Sequence, residues 1–425
     1  MAILLPAGVD WVVGFFGVQL AGAVVVPVNT RFAGPEIEYV LTDSGAAVVL
    51  RPGQPLPVGP PTAVERGPDD LAAIFYTSGT TGFPKGAMTT QGNFLSNVET
   101  AIRVTGIDRA TGPEQRGLIS VPLFHVTGCN SQLLVYLALG GTTVVLPKFD
   151  VRTFLRVITD ERITQLTSVP AIYALAIAQP NFAEVDVAAV AKLSYGGAPI
   201  APSLVHRLAE HFPNARLGNG FGLTETASIS TYLPHEWAAE HADSVGFAAP
   251  VVDLAVADPD AEGVGELLIR GPNVVAGYWN KPDATASTFV DGWLHTGDLA
   301  RVGDDGLTYV VDRAKDMINR GGENVYSVEV ENALAGAPGV AEAAVVGVPD
   351  DVLGEKVGAV LVAAPGSSSP DPGAVLDYLA DRLADFKLPQ YVVVRDEPLP
   401  RNPGGKVLKR ELREGVDWGA PLRGR

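Results

Sequence analysis

Short apolar runs alternate with longer helical stretches through the first three quarters of the chain. The runs are "AAIFY" (72–76), "LISVPLF" (118–124), "TTVVLP" (142–147), "ITQLTSVP" (163–170, followed by the helical "AIYALAIA") and "AKLSYGG" (191–197). Runs without polar alternation suit strands buried on both faces, so the pattern predicts parallel strands covered by helices on both sides, an α/β fold. Near the start, "WVVGFFGVQLAGAVVVPV" (11–28) is 18 residues long with only Gln19 polar, the length of a membrane span. Gly22 divides it into a helical part and a valine-rich part, and no positive charge precedes Arg31. We therefore expect a buried helix and then a buried strand, with neither a transmembrane span nor a signal peptide.

The segment 51–70 holds six prolines and no apolar period, and reads as a surface linker between two lobes. After about residue 313 the rhythm changes to helix "SVEVENALA", strand "EAAVVGV", strand "KVGAVLVAA", helix "GAVLDYLADRLADF" and strand "QYVVV", a small α+β unit. This gives a large domain over 1–313 and a small one over 314–425, with no internal repeat.

Composition narrows the partners. The 425 residues are 47% hydrophobic and 19% charged, enough to build the cores of two domains. A formal net charge of -17 argues against nucleic acid or an anionic membrane and leaves small molecules or proteins. The single Cys129 excludes an internal disulfide, and the six His residues include no close-spaced pair for zinc. A reducing, cytoplasmic setting is consistent with this.

Candidate chemistry begins with "YTSGTTGFPKGA" (76–87), directly after the first of these runs. Thr77, Ser78, Gly79, Thr80, Thr81 and Lys85 supply hydroxyl donors, close-approach backbone and one cation, the parts of a phosphate cradle. The Walker pattern is not met, because Lys85 follows Pro84 and precedes Gly86. Taken alone, such a loop reads first as a solvated turn.

Five further segments decide between these: "SYGGAPI" (194–200), "NGFGLTETA" (219–227), "GWLHTGDLA" (292–300), "DRAKDMINRGGENVYSVEVE" (312–331) and "LPRNPGGKVLKREL" (399–412). Together with the loop, and in this order, they resemble the adenylate-forming superfamily of acyl- and aryl-CoA synthetases, luciferases and adenylation domains, almost end to end. The resemblance implies a large domain of parallel-rich sheets layered with helices, a small mobile C-terminal domain, and ATP, Mg²⁺ and CoA as cofactor and co-substrates. It implies a ligase of fatty acid metabolism in which a carboxylate attacks the α-phosphorus of ATP to give acyl-AMP and pyrophosphate. A thiol then displaces AMP.

Residue by residue, the resemblance places Thr77, Ser78, Thr80, Thr81 and Lys85 on the β- and γ-phosphates, Thr224 on the α-phosphate and Glu225 on Mg²⁺. It places Gly196, Gly197, Ala198 and Phe221 around adenine, with Phe221 where relatives more often carry Tyr. Asp298 and Arg313 correspond to ribose contacts, although an isolated Gly-Asp is commonly a turn or cap. Lys406 corresponds to the catalytic lysine of adenylation, on a loop whose Pro403-Gly404-Gly405 departs from the usual small or hydroxyl residues; a basic solvated helix start is the plainer reading of Lys406, Lys409 and Arg410. Lys315 corresponds to the hinge about which the small domain rotates. Gly321 and Gly322 then reach the pantetheine tunnel. Ser327 stands where relatives usually have proline, and we expect it to cap the helix it begins.

His125 in "PLFHVTG" (122–128) corresponds to a residue lining the acyl pocket and gating thiolation, though a lone His at a strand end is also readable as structural. Amino-acid-activating relatives carry an Asp near this segment to hold the substrate ammonium; this chain has none there, so the resemblance implies a carboxylic acid without an α-amino group. Val126, Gly128, Cys129, Tyr195 and Gly222 are expected to leave room for a fatty or ring-bearing alkanoic acid. The chain begins where relatives are several dozen residues in, so the opening elements of the large domain are expected to be missing, leaving apolar surface that a homodimer would cover. Three alternatives stay open: an inactive adenylate-binding scaffold, an acyl-AMP ligase loading a carrier protein, and a luciferase-like oxidative activity.

Overall fold

The computed structural model describes residues 1–60, 62–77, 84–364, 369–401 and 406–422. Ser78, Gly79, Thr80 and Thr81 of the phosphate loop, and Pro403, Gly404 and Gly405 before Lys406, lie outside the described residues. The chain forms two compact units, one of Met1–Ala255, Leu268–Thr296 and Val302–Tyr309, the other of Val256–Leu267, Gly297–Arg301 and Val310–Arg425.

In the first unit four of the apolar runs overlap the strands Arg116–Ile119, Thr142–Val145, Gln165–Ser168 and Lys192–Gly196, which pair in parallel with one another and with a further strand, Arg216–Phe221, outside those runs, within a seven-stranded sheet. Thr231–Leu233 and Phe247–Ala248 extend one edge antiparallel. Successive strand residues point to opposite faces, and both faces are covered. Leu118 packs with Phe154, Leu166, Leu193 and Leu208, whereas its neighbour Ile119 packs with Trp11, Phe15, Phe75 and Leu133. Burial on both sides is why these strands are rich in apolar residues, with buried polar Gln165, Ser168, Ser194 and Asn219 among them.

Several elements differ from the expectation. "AAIFY" is not one of the parallel series: the strand Leu71–Tyr76 pairs antiparallel with Gly86–Thr90, and its parallel contact is the single bridge from Val25 to Ala73. An apolar run carries no sign of strand direction, and here a short loop joins neighbours that can only be antiparallel. The proline-rich stretch 51–70 does not connect two lobes, since both its flanks belong to the first unit; Val64 donates its N–H to Leu20 O at 2.9 Å and fits against Gly22. The strand near His125 ends at Ile119, before "VPLF".

The apolar stretch 11–28 divides as expected into the helix Val9–Leu20 and the strand Val26–Pro27, which pairs in parallel with Ala2–Ile3. Trp11, Phe15 and Val18 are buried, while Val9, Val13 and Leu20 are exposed by 77%, 52% and 55%. Among the described residues no helix is long and apolar enough to cross a membrane.

In the second unit Val340–Asp350 pairs antiparallel with Gly354–Ala363, and Tyr391–Arg395 lies parallel to the latter. Val330 and Leu334 of the helix Ser327–Leu334, with Val375 and Leu379 of the helix Pro372–Ala380, pack on Val345, Val357 and Leu361. The second of these helices stops at Ala380 instead of running through residue 386. Leu383 and Phe386 still pack on the same core, so the apolar stripe outlasts the helix that begins it.

Candidate active site

The site of the first unit is assembled beyond the carboxyl ends of the parallel strands, where open α/β sheets place ligands. Gly196 ends one strand and pairs with Gly220 of the next, and a Cβ on Gly196 would lie 2.1 Å from Gly220 O. Its glycine is therefore demanded by the neighbouring strand. Gly197 follows at φ +74°, a left-handed conformation that turns the chain toward Ala198. Phe221 closes the next strand beside them and is half-buried.

The loop 222–229 carries Thr224 and Glu225 on a single 3₁₀ turn, Thr224–Thr226. Thr226 Oγ1 accepts the Leu223 N–H at 2.9 Å, and Ala227 and Ser228 take positive φ values of 51° and 128°. Buried amides pin this strained backbone. Asn130 Nδ2 donates to Ala227 O at 2.9 Å, Asn97 Oδ1 accepts the Ile229 N–H at 3.1 Å, and Asn273 Nδ2 donates to Ile229 O at 3.1 Å. Glu225 O accepts the Val275 N–H at 2.9 Å.

Thr77 and Lys85 close the phosphate hairpin, the Thr77 N–H donating to Lys85 O at 2.9 Å. A third segment, 275–279, runs alongside: Met88 N–H donates to Gly277 O, Trp279 N–H to Gly86 O, and Ala87 bridges Tyr278. This brings Tyr278 between the two motifs. Its hydroxyl donates to Glu225 Oε1 at 2.7 Å, and Lys85 Nζ lies 4.9 Å from its ring centroid. Burial, then the Glu225 charge, push the Tyr278 hydroxyl well above the usual tyrosine range, so it remains a proton donor. Tyr278 carries no spacing signal in the sequence; its place comes from pairing with Ala87, far away along the chain.

His125 lies beyond the end of the strand Arg116–Ile119, its ring 5.0 Å from that of Phe124. Both line a cavity of about 10 Å³ with Pro27, Asn29, Phe32, Val40 and Tyr76, room for one water at this spot. The small residues expected to open an acyl pocket do not all do so. A Cβ on Gly128 would lie 2.4 Å from Pro122 O, and one on Gly222 would lie 1.4 Å from Ser228 O, so backbone already fills both spaces. Cys129 is fully buried in the core with Leu133 and Phe94.

The remaining sequence candidates belong to the second unit. Asp298 is no turn or cap residue but a buried member of the strand Trp293–Val302, and Arg313 Nε approaches its Oδ1 at 2.7 Å. Lys315 follows in a turn, and burial is the main cause lowering its pKa. Gly321 and Gly322 form a two-residue hairpin turn at φ +64° and +94°, joining Ile318–Arg320 to Glu323–Val325. Lys406 is exposed, next to the bridge from Val407 to Arg401.

Ser327 does not cap its helix; it is the first helical residue, fully buried. Its Oγ donates to Asp312 Oδ1 at 3.0 Å and accepts from Lys409 Nζ at 2.6 Å, and Asp312 Oδ2 accepts the Ser327 N–H. Lys409 Nζ also lies 2.8 Å from Glu331 Oε1, so it belongs to a buried cluster and not to a solvated helix start. Arg410, paired with Glu414 at the surface, does fit that plainer reading. A charge two residues into "LKREL" gives no hint in the sequence that it turns inward to a part-buried cluster.

The AMP-binding enzyme family model matches residues 1–58 and 51–279, and the AMP-binding enzyme C-terminal domain matches 329–406. The chain is 37% identical to a feruloyl-CoA synthase of Amycolatopsis sp, covering 97% of this chain and 88% of that protein. It is 36% identical to the long-chain-fatty-acid–CoA ligase FadD13 of Mycobacterium tuberculosis, covering 97% and 87%. The o-succinylbenzoate CoA synthetase MenE of Bacillus subtilis superposes with a TM-score of 0.87 at 30% identity in complex with its acyl-adenylate intermediate, covering 98% of this chain and 88% of MenE. The same enzyme with ATP and magnesium ion superposes at 0.86 and 30%, covering 97% and 89%. With the six motifs in order and both family domains matched, the chain belongs to the AMP-binding enzyme family and is an AMP-forming acid–thiol ligase of the acyl-CoA synthetase type.

Proposed function

We propose that this ligase activates a fatty or ring-bearing alkanoic acid and passes it to CoA, with the roles divided as follows. The observation that carries the reading is the meeting of Lys85 and Glu225 on one tyrosine, which joins the phosphate hairpin to the LTET loop. Lys85 and Thr77 grip the β- and γ-phosphates, and Thr224 holds the α-phosphate. Mg²⁺ characteristically takes one or two carboxylates and completes its shell with water and substrate phosphates, so the lone carboxylate of Glu225 suits it. When bound, Mg²⁺ neutralises charge on the phosphate oxygens. Asp298 and Arg313 take the ribose.

In the first half-reaction the acid's carboxylate oxygen bonds to the α-phosphorus and the bond to pyrophosphate breaks. Lys406 stabilises the charge that develops there. In the second, the CoA thiol gives its proton to solvent, its sulfur bonds to the acyl carbon, and the bond from that carbon to the phosphate oxygen breaks to release AMP, with Gly321 and Gly322 beside the pantetheine arm and His125 at the acyl carbon. The small domain, 314–425, turns about Lys315 between the two.

The acid class is supported by Pro27, Phe32 and Val40 beside Phe124 and His125, with Asn29 and Tyr76 as the other polar members, and by the lack of a carboxylate for an α-ammonium among the described residues lining that cavity. FadD13, a long-chain fatty acid ligase by name, fits the same class. A panel of fatty, ring-bearing, aryl and amino acids, each with ATP, Mg²⁺ and CoA, tests it. Turnover highest with a fatty or ring-bearing alkanoate supports the proposal, and preference for an amino acid or a benzoate refutes it.

A further inference from the structure

We infer that Tyr278 is a positioning residue that spaces the phosphate-binding cation from the metal-binding carboxylate, holding Lys85 on its ring face and Glu225 on its hydroxyl. The inference rests on the reading of Glu225 as the Mg²⁺ ligand. Opposite charges on adjoining loops attract, and a direct Lys85–Glu225 ion pair would leave less of either charge for a triphosphate. The structure interposes a rigid, polar-tipped ring. Lys85 Nζ sits 4.9 Å from the ring centroid, within cation–π range, while the hydroxyl donates to Glu225 Oε1 at 2.7 Å. Both groups are thus engaged by one neutral side chain.

The ring itself has little freedom. Tyr278 is 6% exposed, its backbone bridges Ala87, its N–H donates to Thr285 Oγ1 at 2.9 Å, and Phe289 meets the ring edge-on at 5.5 Å. Glu225 is in turn fixed through its own backbone to Val275, three residues before Tyr278. A hydrogen-bond partner that orients a ligating carboxylate typically governs metal affinity by about 10–100-fold.

The experiment is equilibrium binding of ATP to the purified full chain, with and without Mg²⁺, for wild type and the variants E225Q, Y278F and Y278L, each checked for an intact thermal unfolding transition. Wild type binds ATP more tightly with Mg²⁺, and E225Q removes that enhancement. Retention of the enhancement by E225Q overturns the metal-ligand reading itself. Y278F, which keeps the ring and loses the hydroxyl, lowers the Mg²⁺ enhancement by about tenfold and leaves Mg²⁺-free binding unchanged. Y278L also weakens Mg²⁺-free binding, by about threefold, because the face for Lys85 is gone. A Y278F enhancement equal to that of wild type, or equal Mg²⁺-free binding by Y278F and Y278L, overturns the assignment of Tyr278 even where E225Q behaves as expected.

Discussion

Arg313 Nε lies 2.7 Å from the carboxylate of Asp298, whose side chain is 4% exposed, so two candidate ribose contacts from separate motifs form one ion pair. The strand Thr308–Arg313 pairs with the strand Trp293–Val302, which sets Arg313 against Asp298. In the proposed ribose site such a pair would supply an acceptor and a donor for the diol. Because AMP keeps its ribose through both half-reactions, D298A and R313M should each weaken AMP binding by about tenfold, near 1.4 kcal/mol. Calorimetric titration of AMP checks this; wild-type affinity in either variant would remove that residue from the ribose site.

The buried cluster of Asp312, Ser327, Lys409 and Glu331 makes a prediction about pH. Burial is the largest influence on both carboxyls and raises each above its usual range, with Lys409 pulling the other way. An acid whose pKa is higher in the folded state gives stability that is full below its unfolded pKa and is lost as pH rises through the folded one. K409M takes away the opposing cation, so it should raise both carboxyls further and destabilise the fold by about 3 kcal/mol near neutrality. The penalty should shrink toward about pH 4, where the carboxyls are protonated. Thermal unfolding of wild type and K409M across this range decides it, and a penalty that grows on acidification would contradict the account.

The Gly321–Gly322 turn gives a test of the second half-reaction with its own control. A Cβ on Gly322 meets open space, but φ is +94°, so any L residue there carries backbone strain. G322A and G322L share that strain and differ in bulk. If this turn borders the pantetheine path, G322L should lose thioester formation from supplied acyl-adenylate by at least about tenfold relative to G322A while adenylate formation stays similar. Equal thioester rates in the two variants would place the path elsewhere.

Much of this organisation was legible in the sequence because it rests on local constraints. Strands covered on both faces are rich in apolar residues, and the alternation of such runs with helical stretches showed in the sequence; the hydroxyls and glycines at 78–82 lie outside the described residues. The Gly22 division of the long apolar stretch also emerged as read. What stayed hidden depends on pairing between distant segments. The direction of Leu71–Tyr76 is set by its hairpin partner, Tyr278 is brought to Glu225 by its bridge with Ala87, and Ser327 serves Asp312 instead of its own helix. Gly128 and Gly222 show the same limit in another form. A small residue reads as open space, yet in both cases a carbonyl from elsewhere occupies it.

The most direct test of the two-step assignment separates the half-reactions of K406A. In the first step bonds form and break at the α-phosphorus itself, whereas in the second they change at the acyl carbon, so an interaction made only with the five-coordinate phosphorus affects the first step and spares the second. With an acid accepted by the wild type, K406A should lose acid-dependent pyrophosphate release by at least about a hundredfold, while converting supplied acyl-adenylate and CoA to thioester and AMP at near the wild-type rate. Equal loss of both half-reactions, or undiminished pyrophosphate release, would contradict the account.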